Sequence, residues 1–378
     1  MAEVHGTCDP RFEGVRDALA NTLDQGMDVG ASVAVVLEGE PVVDIWGGFA
    51  DEAKTTPWDR DTIINVWSTT KTMTALCALL MADRGELDFD APVARYWPEF
   101  KAGGKESVEV RHLMSHNAGL SGWQEPMAPE DLYDWEKATS LLAAQEPWWE
   151  PGTASGYHAI TQGYLVGEVV RRISGQSVGT FFADEFATPL GADFHIGTPA
   201  SCDDRVALVI PPPPLEIGDV APDSIAVRTL SNPPLSAEQS WEIPWRRAEI
   251  PAAGGHGNAR SVAAVQAILA NGGEIGGRRY LSPEGCEIVL RQQSNTVDLV
   301  LGLQIPFGMG YGLTSEALPL GPNPRTCFWG GWGGSLVLID MDARMCITYV
   351  MNKMGEGTIG DFRGVSVAAA AFGSLAAG

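Results

Sequence analysis

Apolar positions first recur at helical spacing at Phe12, Val15, Leu19 and Leu23, between an Asp9-Pro10 start and Gly26, so a helix is predicted near the N-terminus. Two β-branched, apolar runs follow at residues 31–37 and 42–49, and the Glu38-Gly39-Glu40-Pro41 break between them predicts an antiparallel hairpin. The far end repeats the theme. Residues 335–339 and 345–351 read as strands flanking Asp340-Met341-Asp342-Ala343-Arg344, and residues 362–375 read as a helix. Between the two ends the periodicity is helical: residues 72–84 are almost wholly apolar, and residues 162–173 carry a helical pattern closed by Gly175.

This pattern predicts an α/β (α+β) fold with one antiparallel sheet built from both chain termini, flanked by helices, and a large, mainly helical insertion. The division drawn from it places a discontinuous sheet domain at 1–66 and 320–378 and the helical domain at 67–319. Residues 202–253 hold Pro211 to Pro214, Pro233-Pro234 and three further prolines, so regular structure there is expected to be short, in a long loop beside a cleft.

Length and charge narrow the function. A chain of 378 residues, 45% hydrophobic, can bury a large core, and a net charge of −23 argues against nucleic acid or an anionic membrane as partner. The first residues lack a secretory signal and no apolar run is long enough to span a bilayer, so a soluble, cytoplasmic protein is expected. The six cysteines are scattered without metal-ligand spacing and read as free thiols. Association into a homo-oligomer is left open by the sequence.

The chemistry concentrates in three segments. In Trp67-Ser68-Thr69-Thr70-Lys71, positions i and i+3 of a helix bring the Ser68 hydroxyl and Lys71 amine together. The unpaired N–H groups of a first helical turn suit a developing oxyanion. The apolar residues after Lys71 favour the neutral amine that a base requires. An isolated SxxK is common by accident, so the setting carries the weight. The second segment, Glu150 to His158, sets Tyr157 at a turn before a helix, where its phenol is a candidate proton relay. The third, Phe328-Trp329-Gly330-Gly331-Trp332-Gly333-Gly334-Ser335, offers the Trp332 N–H as a second oxyanion donor.

These segments, in this order, resemble the class C β-lactamase and penicillin-binding-protein superfamily, most closely its family VIII carboxylesterase branch. The matching boxes are Ser68 to Lys71, Tyr157-His158-Ala159 and Trp329-Gly330-Gly331, with support from residues 83–88, 111–120 and 254–257. The resemblance implies a Ser68 nucleophile, a Lys71/Tyr157 base pair, an oxyanion hole from the Ser68 and Trp332 amides, and hydrolysis of short-chain carboxylic esters without metal or organic cofactor. Two positions depart from the family pattern: Ala159 stands where Asn is usual, and Trp329 where true lactamases carry Lys. Without that Lys there is no partner for a substrate carboxylate, which favours a neutral ester.

Substrate contacts are expected from Trp329, Gly330, Gly331, Trp123, His158 and His256. Trp135, Trp148, Trp149, Trp241 and Trp245 are further candidates for the cleft wall. Alternatives on the same site are an acyltransferase or transesterase, a D-amino-acid amidase or peptidase, a weak β-lactamase, or a non-catalytic penicillin-recognising binding protein. Gly175-Gln176-Ser177-Val178-Gly179 mimics a nucleophile elbow, yet it follows a helix where the elbow needs a strand. His112 and His116 stand four apart without the HExxH pattern and read as structural.

Overall fold

The computed structural model describes residues 2–213 and 221–376. Nine strands form one antiparallel sheet: β1 (Val4–Cys8), β2 (Gly30–Leu37), β3 (Glu40–Gly48), β4 (Ser294–Val297), β5 (Gln304–Phe307), β6 (Gly312–Leu313), β7 (Thr326–Gly330), β8 (Leu336–Asp340) and β9 (Met345–Met351). Their order is β1-β3-β2-β9-β8-β7-β6-β5-β4. The two termini meet at the centre, where β2 pairs with β9 and Val33 lies opposite Tyr349. β2 and β9 are buried almost end to end, as strands covered on both faces are.

Six helices of ten residues or more are described: α1 (Glu13–Asp24), α2 (Thr70–Asp83), α3 (Trp135–Ala144), α4 (Thr161–Ser174), α5 (Ala259–Ala270) and α6 (Phe362–Ala376). Side chains alternate along β9, so Thr348, whose hydroxyl donates to the Ala259 carbonyl of α5, and Tyr349, which reaches toward the start of α6, mark opposite faces of the sheet. α1 packs against α6 on one face and α5 covers the other. α2 is buried from Thr70 to Met81, and each of its fully buried Leu and Met side chains contributes about 1.5–3 kcal/mol relative to exposure.

The sheet is wider than the sequence pattern predicts. β4 to β6 lie inside the stretch read as helical yet extend the sheet from β7, so sheet membership resumes at Ser294 and not at residue 320. Their short lengths, with exposed positions along β4 and at the start of β5, mask the alternation. β1 was likewise not anticipated: four of its five residues are polar, glycine or cysteine, and it forms because β3 offers an open edge. The proline-rich region holds only short helices, among them Ile225–Leu230 and Ile243–Arg247, while residues 214–220, including Pro214, lie outside the described residues. No helix of the described residues is long and apolar enough to cross a membrane.

Candidate active site

α2 is entered through one 3-10 turn, Trp67–Thr69, which places Ser68 where backbone amides lack helical acceptors. Trp67 holds φ +49°, a left-handed conformation costing on the order of 1–3 kcal/mol for such a residue. Packing compensates: its ring lies 5.0 Å from that of Trp332 and 5.6 Å from that of Trp245, and the preceding Val66 amide donates to the Gly255 carbonyl.

Two groups meet at the Ser68 hydroxyl. The Tyr157 phenol donates to it at 2.6 Å, and Lys71 Nζ lies 3.0 Å away. Lys71 Nζ also contacts the carbonyl oxygens of Ala159 (2.6 Å) and Ala252 (3.0 Å). Burial holds this amine well below the usual lysine range, and among the described residues no carboxylate pairs with it. A neutral amine has two N–H bonds and one lone pair. The two carbonyls only accept, so they take the two N–H groups, and the lone pair is left facing Ser68 Oγ–H. Burial also raises the Tyr157 phenol, so it stays protonated and free to donate. The contact at Ala159 is made by its main-chain carbonyl and so does not depend on which side chain stands there.

The third segment closes the site from above. Gly331 packs against the Ser68 turn so closely that a Cβ there would sit 2.3 Å from the Val66 carbonyl oxygen and 3.3 Å from the Ser68 nitrogen. Ser335 Oγ donates to the same Val66 carbonyl and lies 2.9 Å from Thr69 Oγ1. Among the described residues the Ser68 and Trp332 amides have no backbone carbonyl as acceptor, which leaves both available to a ligand.

A cavity of about 170 Å³ opens at this point. Trp67, Ser68, Trp123, Tyr157, Leu235 and Trp332 are in its wall, and no residue with a charged side chain lines it among those described. Of the expected substrate contacts, Trp123 lines this cavity, with its indole N–H donating to the Ala138 carbonyl. Trp329 packs against Tyr157 with tilted rings 5.4 Å apart, and Gly330 sits at the end of β7 against Ile359; neither they nor Gly331 reach the cavity wall.

His158 and His256 are corrected more firmly, because both are wholly buried and neither faces the cavity. His158 Nε2 accepts from the Leu120 amide and Nδ1 donates to the Gly156 carbonyl, while burial pushes its pKa down to about 3. His256 Nδ1 bonds the Gly254 carbonyl and burial likewise pushes it to about 3. Both are neutral structural rings. Trp135, Trp148, Trp149, Trp241 and Trp245 also lie outside the cavity wall. Ser177 caps a short helix and bonds Glu249, as the helical context required. His116 packs against Tyr157 and Trp329 and accepts from the His158 amide.

Several contributors carried no signal in the sequence. Asp298, 141 residues from Tyr157, accepts from the amides of Tyr157, Val300 and Leu301 at 2.9–3.0 Å and so fixes the backbone that presents the phenol. The Ala252 carbonyl is a main-chain atom that any residue carries. Asn232 ties the cavity wall to the 123–127 loop through Trp123, Glu125 and Met127. Elsewhere, Asp193, His195 and Cys202 cluster at metal-ligand spacing, but the Arg205 guanidinium already bonds Asp193 and Cys202, and the cluster stands apart from the cavity. All six cysteines are free thiols.

A family model described as Beta-lactamase matches residues 19–372. The chain belongs to the beta-lactamase family. Within it, the chain is 37% identical over 368 residues to "Esterase/beta-lactamase LipL" of Mycobacterium tuberculosis, covering 93% of this chain and 83% of that protein. A solved family VIII carboxylesterase superposes with a TM-score of 0.93 at 44% identity, covering 99% of this chain and 100% of its own. A penicillin-binding-protein homologue from Caulobacter crescentus gives a TM-score of 0.92 at 38% identity, covering 99% and 100%. The large antiparallel sheet with surrounding helices is thus the beta-lactamase-like fold of this family.

Proposed function

We propose that the chain is a serine carboxylesterase that hydrolyses short-chain esters through an acyl-enzyme on Ser68. The observation that carries this reading is a single hydroxyl shared by a buried amine and a phenol, opening into an uncharged cavity. Ser68 Oγ attacks the ester carbonyl carbon while its proton passes to Lys71 Nζ. The carbonyl oxygen becomes an oxyanion between the Ser68 and Trp332 amides. Collapse breaks the bond to the alcohol oxygen, which takes a proton relayed from the Lys71 ammonium through Tyr157. Water then attacks the acyl group with the same groups as base, releasing the acid and restoring Ser68.

The relatives' names support an esterase, one of them alongside a β-lactamase name. The uncharged wall favours the ester: a β-lactam or peptide carboxylate entering it finds no cation and loses its hydration uncompensated. A cavity of about 170 Å³ is close to the ~150 Å³ that holds one benzene ring, so acyl groups of a few carbons are taken in whole while longer chains extend past its mouth. The assay is turnover of p-nitrophenyl acetate, butyrate and octanoate beside a chromogenic cephalosporin. Acetate and butyrate are expected to exceed octanoate at least about 10-fold in kcat/KM, and the cephalosporin by more. Faster turnover of the cephalosporin overturns the ester reading, and stoichiometric acylation without turnover points to a binding protein.

The pH dependence follows from the same geometry. Lys71 is active only as the free amine, so kcat/KM rises with pH through a single acid limb at the lowered lysine pKa and then levels. Tyr157 is raised, so its ionisation contributes no alkaline fall up to about pH 10. A profile with a falling limb between about pH 8 and 10, persisting where the protein remains folded, contradicts this assignment.

A further inference from the structure

The turn that carries the Trp332 amide is glycine-rich, and a free glycine loop would not hold an N–H in one direction. The structure holds it from two sides. On the inner side Gly331 N–H donates to the Ser335 carbonyl, and Ser335 is tied to the Ser68 turn. On the outer side Gly333, the residue after Trp332, is held at both ends: its N–H donates to the Gly357 carbonyl, and its own carbonyl accepts from the Gly355 amide and from Arg363 Nη2, each at 2.7 Å.

Arg363 sits at the start of α6 and is 3% exposed. Its other N–H groups are anchored outside the turn. Nη1 bonds Asp28 Oδ1 (2.8 Å) and the carbonyls of Lys353 (2.9 Å) and Met27 (3.1 Å), and Nε bonds Asp361 Oδ2 (3.0 Å). Asp28, itself fully buried, is fixed in turn by the Tyr349 hydroxyl at 2.6 Å. The planar fork therefore has its donors committed in fixed directions, and one of them points at the Gly333 carbonyl. Gly334, φ +133°, lies directly under it: a Cβ there would come within 2.7 Å of Arg363 Nη2 and of Asp361.

A buried ion pair carries a large desolvation cost, so its presence is weak evidence of a purely stabilising role. What this pair adds is rigid placement of the residue following the oxyanion donor. We propose that Arg363, braced by Asp28 and Asp361, is a positioning residue that aims the Trp332 amide at the oxyanion; it touches no substrate and acts through Gly333. This rests on the esterase reading above, in which the Trp332 amide is the second donor.

The experiment uses the full chain carrying Arg363→Lys, which keeps the buried charge but loses the fork, and Asp361→Asn, which loosens the brace while leaving the guanidinium. Folding is checked by circular dichroism. The readouts are kcat and KM on p-nitrophenyl butyrate, the kcat/KM pH profile, and the Ki of butylboronic acid, whose tetrahedral adduct on a serine mimics the oxyanion. Arg363→Lys is expected to lower kcat about 10- to 100-fold with KM within twofold, to weaken boronate binding by the same factor as kcat/KM falls, and to leave the acid limb in place.

Asp361→Asn is expected to do the same by about 3- to 10-fold, and decides the matter if Arg363→Lys does not fold. A folded variant with kcat and boronate Ki within twofold of wild type overturns the proposal. So does a loss of activity in which the pH limb moves and boronate affinity does not. If the wild-type chain itself fails to bind the boronate, the esterase reading falls and this proposal with it; wild-type binding with unaltered variants sinks the proposal alone.

Discussion

Ser68→Ala is expected to abolish ester turnover, with kcat/KM for p-nitrophenyl butyrate falling at least about 10⁴-fold and no acyl adduct visible by mass spectrometry of the intact protein. The reason is that, among the described residues, Ser68 Oγ is the one oxygen hydrogen-bonded to both Lys71 Nζ and the Tyr157 phenol. Removing it leaves the two amides and the cavity but no atom to form the covalent intermediate. The fold is expected to survive, because Ser68 Oγ bonds only those two catalytic groups, and loss of a small hydroxyl costs little packing. Turnover at a tenth of the wild-type rate or more in a folded, uncontaminated variant would place the nucleophile elsewhere.

Lys71→Ala is the second large effect, with kcat expected to fall about 10³- to 10⁴-fold and the acid limb of the pH profile to disappear. Among the described residues the amine is the only base whose lone pair faces the Ser68 hydroxyl, because the carbonyls of Ala159 and Ala252 occupy its N–H groups. Tyr157→Phe supplies the contrast. It removes the relay to the leaving alcohol but not the base, so kcat falls about 10²- to 10³-fold while the acid limb persists. If instead the limb vanishes in Tyr157→Phe and persists in Lys71→Ala, the base and relay roles are exchanged. Lys71 is buried, so circular dichroism of the variant accompanies the kinetics.

The central part of the sheet was legible because both partners advertise it. Residues 31–37 and 345–351 are long β-branched and apolar runs, and pairing side by side buries nearly all of both. The α2 segment was equally plain, since its unbroken apolar face is buried against the rest of the chain. β1 and β4 to β6 were not legible, because short strands with exposed positions take their conformation from the open edges they meet.

The site divides along a similar line. Side chains with distinctive chemistry at fixed spacing, Ser68, Lys71 and Tyr157, announced themselves, and the resemblance to a known family ordered them. His158 and His256 show the converse. A histidine beside a motif suggests contact with substrate, but whether its ring faces a cavity or a backbone carbonyl depends on packing from segments far along the chain.

By itself, the order of residues determined which groups were available for chemistry and which strands had to lie at the centre, because those properties reside in side-chain type and local periodicity. Only the tertiary structure decided that Ala159 and Ala252 would offer their carbonyls to Lys71, that Asp298 would hold Tyr157, and that Arg363 would brace the turn bearing Trp332. Those contacts are made by main-chain atoms and by partners up to some 180 residues apart in the chain, and local sequence carries no trace of which distant backbone a group will meet.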